Sequence, residues 1–157
     1  MVQHYEALFS GDEKWRARAH AVAARTFELS SFLVRELKLT DVGARFKGRV
    51  TWHDACHGLR ELGVRNEPRA LIHQIRDAEF IELENADACC GFGGTFSVKY
   101  PEISAAILDQ KIEAIERAGV DTVVSGDASC LMQIGGRLSR IGSKARVMHL
   151  AELLASR

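Results

Sequence analysis

Asp121-Thr122-Val123-Val124-Ser125-Gly126-Asp127-Ala128-Ser129-Cys130 is the stretch whose reading decides the fold. Its first five residues form a short β-prone run. Gly126 and Asp127 interrupt that run, and a helical pattern follows from Cys130 to Ile141. A strand that passes directly into a helix is the repeating unit of an α/β protein.

The same alternation extends outward in both directions. Upstream, Pro101 opens a helix with Ile103, Ile107, Leu108, Ile112 and Ile115 on one face and Gly119 as its C-terminal stop. Downstream, Ala145-Arg146-Val147-Met148 reads as a strand, and residues 150–155 read as a closing helix. Further back, Arg49-Val50-Thr51-Trp52-His53 and Phe80-Ile81-Glu82-Leu83 are strand-like. Between them a helix is expected over residues 66–77, with Pro68 in its first turn. Strands separated by helices predict an α/β fold, a parallel sheet of about four strands with flanking helices and right-handed crossovers. Before the sheet, residues 12–39 contain no Gly or Pro and predict one long helix or two abutting ones. Val22, Phe27, Leu29, Phe32, Leu33 and Leu37 supply an apolar stripe along it. Thr40-Asp41-Val42-Gly43 stops that region and Gly48 marks a second turn. The expected division is therefore an N-terminal helical region over residues 1–47 and an α/β domain over residues 48–157.

Composition limits the function. The chain has 157 residues, 46% of them apolar, and 21 basic side chains against 21 acidic ones. A chain of this length buries roughly 70% of its unfolded surface and needs neither disulfide nor metal merely to hold a core. Zero net charge argues against nucleic-acid binding. No leader-like segment opens the chain, and no apolar run approaches the roughly 20 residues that span a bilayer. We expect a soluble cytoplasmic protein with no membrane insertion.

In a reducing compartment, cysteines serve as ligands, nucleophiles or buried small hydrophobes more often than as disulfides. Here Cys56 follows the first strand, the adjacent Cys89 and Cys90 follow the second, and Cys130 follows the third; His149 follows the fourth. The carboxyl ends of parallel strands share one edge, where ligands bind. The four thiols therefore converge on one rim, and adjacent cysteines, poor disulfide partners, are well placed to present two thiolates to one inorganic centre. Gly91, Gly93 and Gly94 follow the pair and let backbone N–H groups approach sulfur. Cys130 stands at a helix start, where the positive helix end is expected to favour its thiolate. His53 and His57 bracket Cys56 as ligands, hydrogen-bond donors or proton carriers.

Other readings use the same residues. A structural zinc site is possible without the usual C-x-x-C knuckles, and a catalytic Cys56 with His53 or His57 would leave three thiols unexplained. The Gly91–Gly94 loop lacks the Lys-Ser/Thr of a phosphate-binding loop. His4, His20 and His73 read as surface histidines, Trp15 and Trp52 as packing residues, and Arg137 and Arg140 as a solvated face. No residue is identifiable as a substrate clamp, and the catalytic residues stay unassigned.

His53-Asp54-Ala55-Cys56-His57, the run from Asn85 through Cys89-Cys90-Gly91-Phe92-Gly93-Gly94-Thr95-Phe96-Ser97, and Ser129-Cys130-Leu131-Met132 together resemble the cysteine-rich CCG domain. That domain occurs in the iron–sulfur oxidoreductases of the lactate-utilization, glycolate-oxidase and heterodisulfide-reductase groups. The resemblance is nearest to the lactate-utilization group and extends over essentially the whole chain, including Gly43-Ala44-Arg45-Phe46 and Val147-Met148-His149. It implies an electron-transfer component of an L-lactate (or related 2-hydroxy acid) oxidising system, with an iron–sulfur cluster of the 4Fe–4S type. Cys56, Cys89, Cys90 and Cys130 take the cluster-ligand positions; His53, His57, Gly91, Gly93 and Gly94 lie around them. The family pattern ends in Cys-x-x-Cys, and here the last position is Gln133, so a simpler cubane, a zinc ion or an empty site are alternatives to the family's non-cubane centre. A zinc-stabilised α/β binding module without redox activity is the alternative function.

The resemblance also implies tandem domains, with this chain as the C-terminal half and its N-terminal helical region as a remnant of the junction. The expected partners are other subunits of a lactate-utilization complex, and the chain alone is expected not to oxidise lactate. Uncovered apolar surface around Tyr5, Leu8, Phe9 and Trp15 predicts self-association, most simply as a two-fold dimer. Without metal the chain should stay folded, with mobile loops over residues 54–59 and 89–95.

Overall fold

The computed structural model describes residues 2–157; Met1 lies outside the described residues. Four strands, β1 (Arg45–Trp52), β2 (Arg76–Phe80), β3 (Thr122–Ser125) and β4 (Arg146–His149), form one parallel sheet in the order β2-β1-β3-β4. The helices are α1 (Tyr5–Leu8), α2 (Glu13–Ala23), α3 (Leu29–Ser31), α4 (Asn66–Ile72), α5 (Thr95–Lys99), α6 (Pro101–Ala118), α7 (Ala128–Arg140) and α8 (Leu150–Ala155). Short π-type turns cover Phe32–Glu36 and His57–Glu61. The α/β class and the parallel four-stranded sheet are those expected from the alternation of elements.

β3 is central, and all four of its residues are buried. Adjacent residues of a strand face opposite sides of the sheet, and here each side has its own core. Val123 joins Leu108, Ile112, Ile115, Ile134 and Leu138 beneath α6 and α7. Val124 joins Val50, Trp52, Leu71, Ile72, Leu150 and Leu153 beneath α4 and α8. α6 carries Pro101 in its first turn and ends on Gly119 in the left-handed region, φ 61°, a conformation that costs glycine little.

Several boundaries differ from the sequence reading. β1 starts at Arg45 rather than Arg49, because the strand runs on through Gly48, with an irregularity in its pairing to β2 between Arg45 and Gly48. β2 lies over Arg76–Phe80 rather than over the apolar run 80–83. As an edge strand it tolerates the polar sequence Arg-Asp-Ala-Glu-Phe, while Leu83 leaves the sheet to enter the core. Residues 12–39 do not form one helix. α2 ends at Ala23, where Thr26 Oγ1 donates to the Val22 carbonyl; Glu28, in an extended conformation, then caps α3 by accepting from Ser31 N–H and Ser30 Oγ. Such local side-chain bonds compete with helix continuation. Of the expected stripe, Val22, Phe27, Leu29, Phe32 and Leu37 remain exposed and Leu33 packs against the core.

Candidate metal centre

The strand order reverses direction between β1 and β3: one connection from β1 leads outward to β2, and from β3 the chain continues to β4 on the other side. The carboxyl ends at such a switch point open a crevice that no crossover covers. His53 and Cys56 leave the end of β1, and Cys130 follows the end of β3. Cys89 and Cys90 come from the long connection after β2, which crosses to this rim before α5.

His53 continues the β1 pairing, its N–H donating to the Val124 carbonyl at 2.8 Å, while its own carbonyl accepts from Ser125 Oγ at 3.1 Å. The ring is thereby directed inward and is 1% exposed. One ligating atom from each of His53, Cys90 and Cys130 lies within 4.8 Å of the other two, and all three residues are buried. Cys90 Sγ and Cys130 Sγ are 3.1 Å apart, too far for a disulfide, and all four cysteines are free thiols.

The buried sulfur pair shares its protons unequally. Contact with Cys130, helped by His53 and by the Phe92 N–H, pushes Cys90 down to about 4. Cys130 is driven the opposite way by its contact with Cys90, by burial and by the charge of Asp127. The geometry therefore favours Cys90 as the thiolate and Cys130 as the thiol. This corrects the expectation that the helix start would favour a Cys130 thiolate. Asp127 already occupies that end of α7, its carboxylate accepting from the N–H groups of Ser129 and Cys130 at 2.9 and 3.0 Å. A fixed negative charge there offsets the positive helix end.

Cys56 and Cys89 are exposed and lie outside the compact buried group. Gly91 N–H points at Cys89 Sγ, 3.3 Å away. Gly91, Gly93 and Gly94 have φ of 82°, 53° and 59°, so the loop after the cysteine pair folds through the left-handed region three times. At Gly91 there is also no room for a side chain: a Cβ would press into the Ser104 carbonyl oxygen, and Ser104 Oγ donates to the Gly91 carbonyl at 2.7 Å. Gln133, one turn beyond Cys130, donates its amide to Ser104 Oγ at 3.2 Å. His57 turns to solvent and pairs with Glu61 at 3.2 Å. His149 is not at the centre; it caps α8, accepting from Ala151 N–H at Nδ1, and its Nε2 faces the Gly126 carbonyl.

Two buried charges organise the loops, and the sequence reading singled out neither. Asp54 lies beneath the rim with its side chain 1% exposed; Trp52 Nε1 donates to it at 2.6 Å, and Arg69 donates through both Nη atoms at 3.0 and 2.8 Å. Lys111, 2% exposed on α6, donates to the carbonyls of Asn85 and Ala86 at 2.6 and 3.2 Å, just before the cysteine pair. Burial holds its ammonium below the ordinary lysine range. The signal for Lys111 is in the sequence: with Leu108, Ile112 and Ile115 it occupies positions i, i+3, i+4 and i+7 of one helix face. Beside the Cys56 loop, a cavity of about 130 Å³ is lined by residues including Trp52, Asp54, His57 and Asp127.

A parallel α/β sheet with sulfur and imidazole donors gathered at its switch point defines a cysteine-rich class of domain whose buried donors could hold a metal. The chain belongs to the cysteine-rich CCG domain family, whose profile matches residues 50–135 and so spans all four cysteines. Over all 157 residues it is 48% identical to lactate utilization protein A of Geobacillus sp. (strain WCH70) and 45% identical to that of Bacillus subtilis (strain 168), spanning 66% of the length of each. It is 43% identical to lactate utilization protein A of Lysinibacillus sphaericus (strain C3-41), spanning 69% of it. No helix among the described residues is long and apolar enough to cross a membrane.

Proposed function

We propose that this chain is the cluster-holding part of an iron–sulfur electron-transfer component in a system that oxidises L-lactate, or a related 2-hydroxy acid, to the keto acid. The observation that carries this reading is the buried Cys90–Cys130 pair beside a buried imidazole that has no oxygen or nitrogen partner, with two exposed thiols on neighbouring loops. That donor set fits an iron–sulfur group: the sulfurs are soft ligands, their contact favours a thiolate at Cys90, and a buried imidazole with no oxygen or nitrogen partner is free to meet an occupant. Relatives named for lactate utilization support the choice of substrate.

Cys56, Cys89, Cys90 and Cys130 would hold the group, which when bound supplies one-electron redox chemistry. The chain's own contribution is placement. β1 and β3 fix His53 and Cys130, Lys111 fixes the backbone before Cys89 and Cys90, and Asp54 with Arg69 fixes the backbone before Cys56. The Gly91 and Phe92 N–H groups face sulfur and stabilise negative charge there. His57 and the rest of the Gly91–Gly94 loop would border the group on its exposed side. Lactate oxidation would require partner subunits of a lactate-utilization complex, so the isolated chain should show no turnover.

The compactness of His53, Cys90 and Cys130 favours one second reading, a single zinc ion in a binding module without redox activity. Anaerobic purification with iron, acid-labile sulfide and zinc analysis, followed by EPR in both redox states, separates the two. Iron with matching sulfide and an EPR signal in one state is the expected result. Stoichiometric zinc, no sulfide and no signal would overturn the iron–sulfur reading in favour of the module.

A further inference from the structure

We propose that His53 is itself a metal ligand, so that this centre is a mixed nitrogen–sulfur site rather than an all-thiolate one; the proposal rests on the metal-binding reading above. Among the described residues His53 is distinctive among the histidines. His4 and His57 pair with Glu61, and His20 pairs with Glu6. His73 lies edge-on to Phe80, and His149 caps a helix. Each of those five is accounted for by a partner of its own. His53 is 1% exposed, and its two nitrogens have no oxygen or nitrogen partner; the group beside the ring is the Cys90 sulfur. Polar groups buried this deeply are nearly always satisfied, and a bound ion is one of the few explanations for an exception.

The surroundings favour ligation over a supporting hydrogen bond. A ligating histidine is usually oriented by a hydrogen bond at its second ring nitrogen. Here that second bond does not exist, and the ring is oriented by the backbone instead, through Val124 and Ser125. One ring nitrogen stands within 4.8 Å of both Cys90 Sγ and Cys130 Sγ. Metal–ligand bonds of about 2.0–2.3 Å to nitrogen and sulfur place donors on one ion about 3.5–3.8 Å apart, so the three atoms need only small shifts to share it. Ligation through one nitrogen leaves the proton on the other, with no charge added to the buried group. An imidazole in place of a thiolate raises the reduction potential of an iron–sulfur centre.

The test uses the full chain labelled with ¹⁵N-histidine, reconstituted anaerobically with ferrous iron and sulfide in one arm and loaded with cobalt(II) in the other. Pulsed EPR of the reduced cluster, or of the cobalt form, should show a directly bound nitrogen whose coupling follows the label. The coupling should vanish in His53→Ala and persist in His57→Ala. Cobalt affinity should fall by more than roughly 100-fold in His53→Ala, beyond the 10–100-fold expected for an outer-sphere partner. Thiolate-to-cobalt charge transfer without a histidine coupling in the unaltered protein would overturn the inference while leaving the metal reading intact. A coupling that survives in His53→Ala would do the same. Failure of the unaltered protein to retain iron–sulfide or cobalt at all would overturn the metal reading, and the inference with it.

Discussion

Replacing Asp54 with alanine should destabilise the metal-free domain by about 3 kcal/mol, and the contacts around that side chain show why. Asp54 accepts three hydrogen bonds, one from the buried indole of Trp52 and two from Arg69. Breaking a buried ion pair from one side costs about 3–5 kcal/mol, mostly through the charge left without its partner. Arg69 is spared part of that cost, because Glu82 also binds it in bidentate fashion, at 2.7 and 2.6 Å. The Trp52 N–H has no such substitute, and an unsatisfied buried donor adds about 1–3 kcal/mol. The two effects together set the figure of about 3 kcal/mol, equivalent to a fall in Tm of roughly 6–12 °C for a chain of this size. Glu82→Gln is the control: Glu82 is half exposed, and a surface partner is worth less than about 1 kcal/mol. Urea unfolding of the reduced, metal-free proteins, followed by Trp fluorescence and far-UV circular dichroism, measures both. A loss below 1 kcal/mol in Asp54→Ala, or an equal loss in Glu82→Gln, would refute the assignment of Asp54 as the buried anchor.

Lys111 should give the domain an alkaline stability increase. Its folded-state pKa lies below its ordinary value, so the unfolded chain binds the proton more tightly, and stability rises with pH from the folded pKa towards about 10.5. Urea curves for the unaltered protein should gain on Lys111→Met across that window, and parallel pH profiles would disprove it. Gly91→Ala should disrupt the cysteine loop, because the new methyl meets the Ser104 carbonyl. Gly94→Ala, equally positive in φ but facing open space, should cost only the backbone strain of about 1–3 kcal/mol. The two are compared by unfolding and by hydrogen exchange over residues 85–95. Leu8 and Trp15, 75% and 48% exposed beside further uncovered apolar side chains of the N-terminal region, should drive dimerisation. Sedimentation should show the dimer weakened in Leu8→Glu, and a clean monomer at high concentration would count against it.

How much of this was legible in the sequence follows from which forces are local. The β3–α7 unit could be read because Thr122-Val123-Val124-Ser125 is fully buried and Asp127 caps the next helix through its own neighbours. α6 was legible from Pro101, Gly119 and its apolar face. β2 was misplaced because an edge strand needs no apolar run, and the pairing partner that defines it, β1, lies more than 25 residues earlier. The break at residues 24–28 came from side-chain caps that a scan for Gly and Pro does not register. From the shared rim of a parallel sheet followed a convergence of all four cysteines; the compact group is His53, Cys90 and Cys130. The division into a buried pair and two exposed thiols did not, since burial of a loop cysteine depends on packing against α6, α7 and the sheet. The reversal at Cys130 arose likewise: the helix start was visible, but contact with Cys90 and burial, with the Asp127 carboxylate adding to them, raise the thiol instead.

That division also explains where the buried charges sit. Cys90 and Cys130 are set by the hydrophobic core itself. Cys56 and Cys89 have no such support, and each is preceded within a few residues by backbone pinned to a buried charge. Asp54, held by Arg69 and Trp52, stands two residues before Cys56, and Lys111 grips Asn85 and Ala86 three to four residues before Cys89. The two pinned segments are themselves joined, Asp54 N–H donating to the Ala86 carbonyl at 3.1 Å. Buried charges are a poor route to stability compared with apolar side chains of similar volume. Their use here makes sense as positional control, because charge-assisted bonds, Asp54 to Arg69 and Lys111 to the Asn85 and Ala86 carbonyls, fix a loop more narrowly than packing does. Core packing thus sets the buried half of the centre, and charge sets the exposed half. Substitutions at Lys111 should consequently perturb metal retention more than they perturb the cooperative unfolding of the sheet.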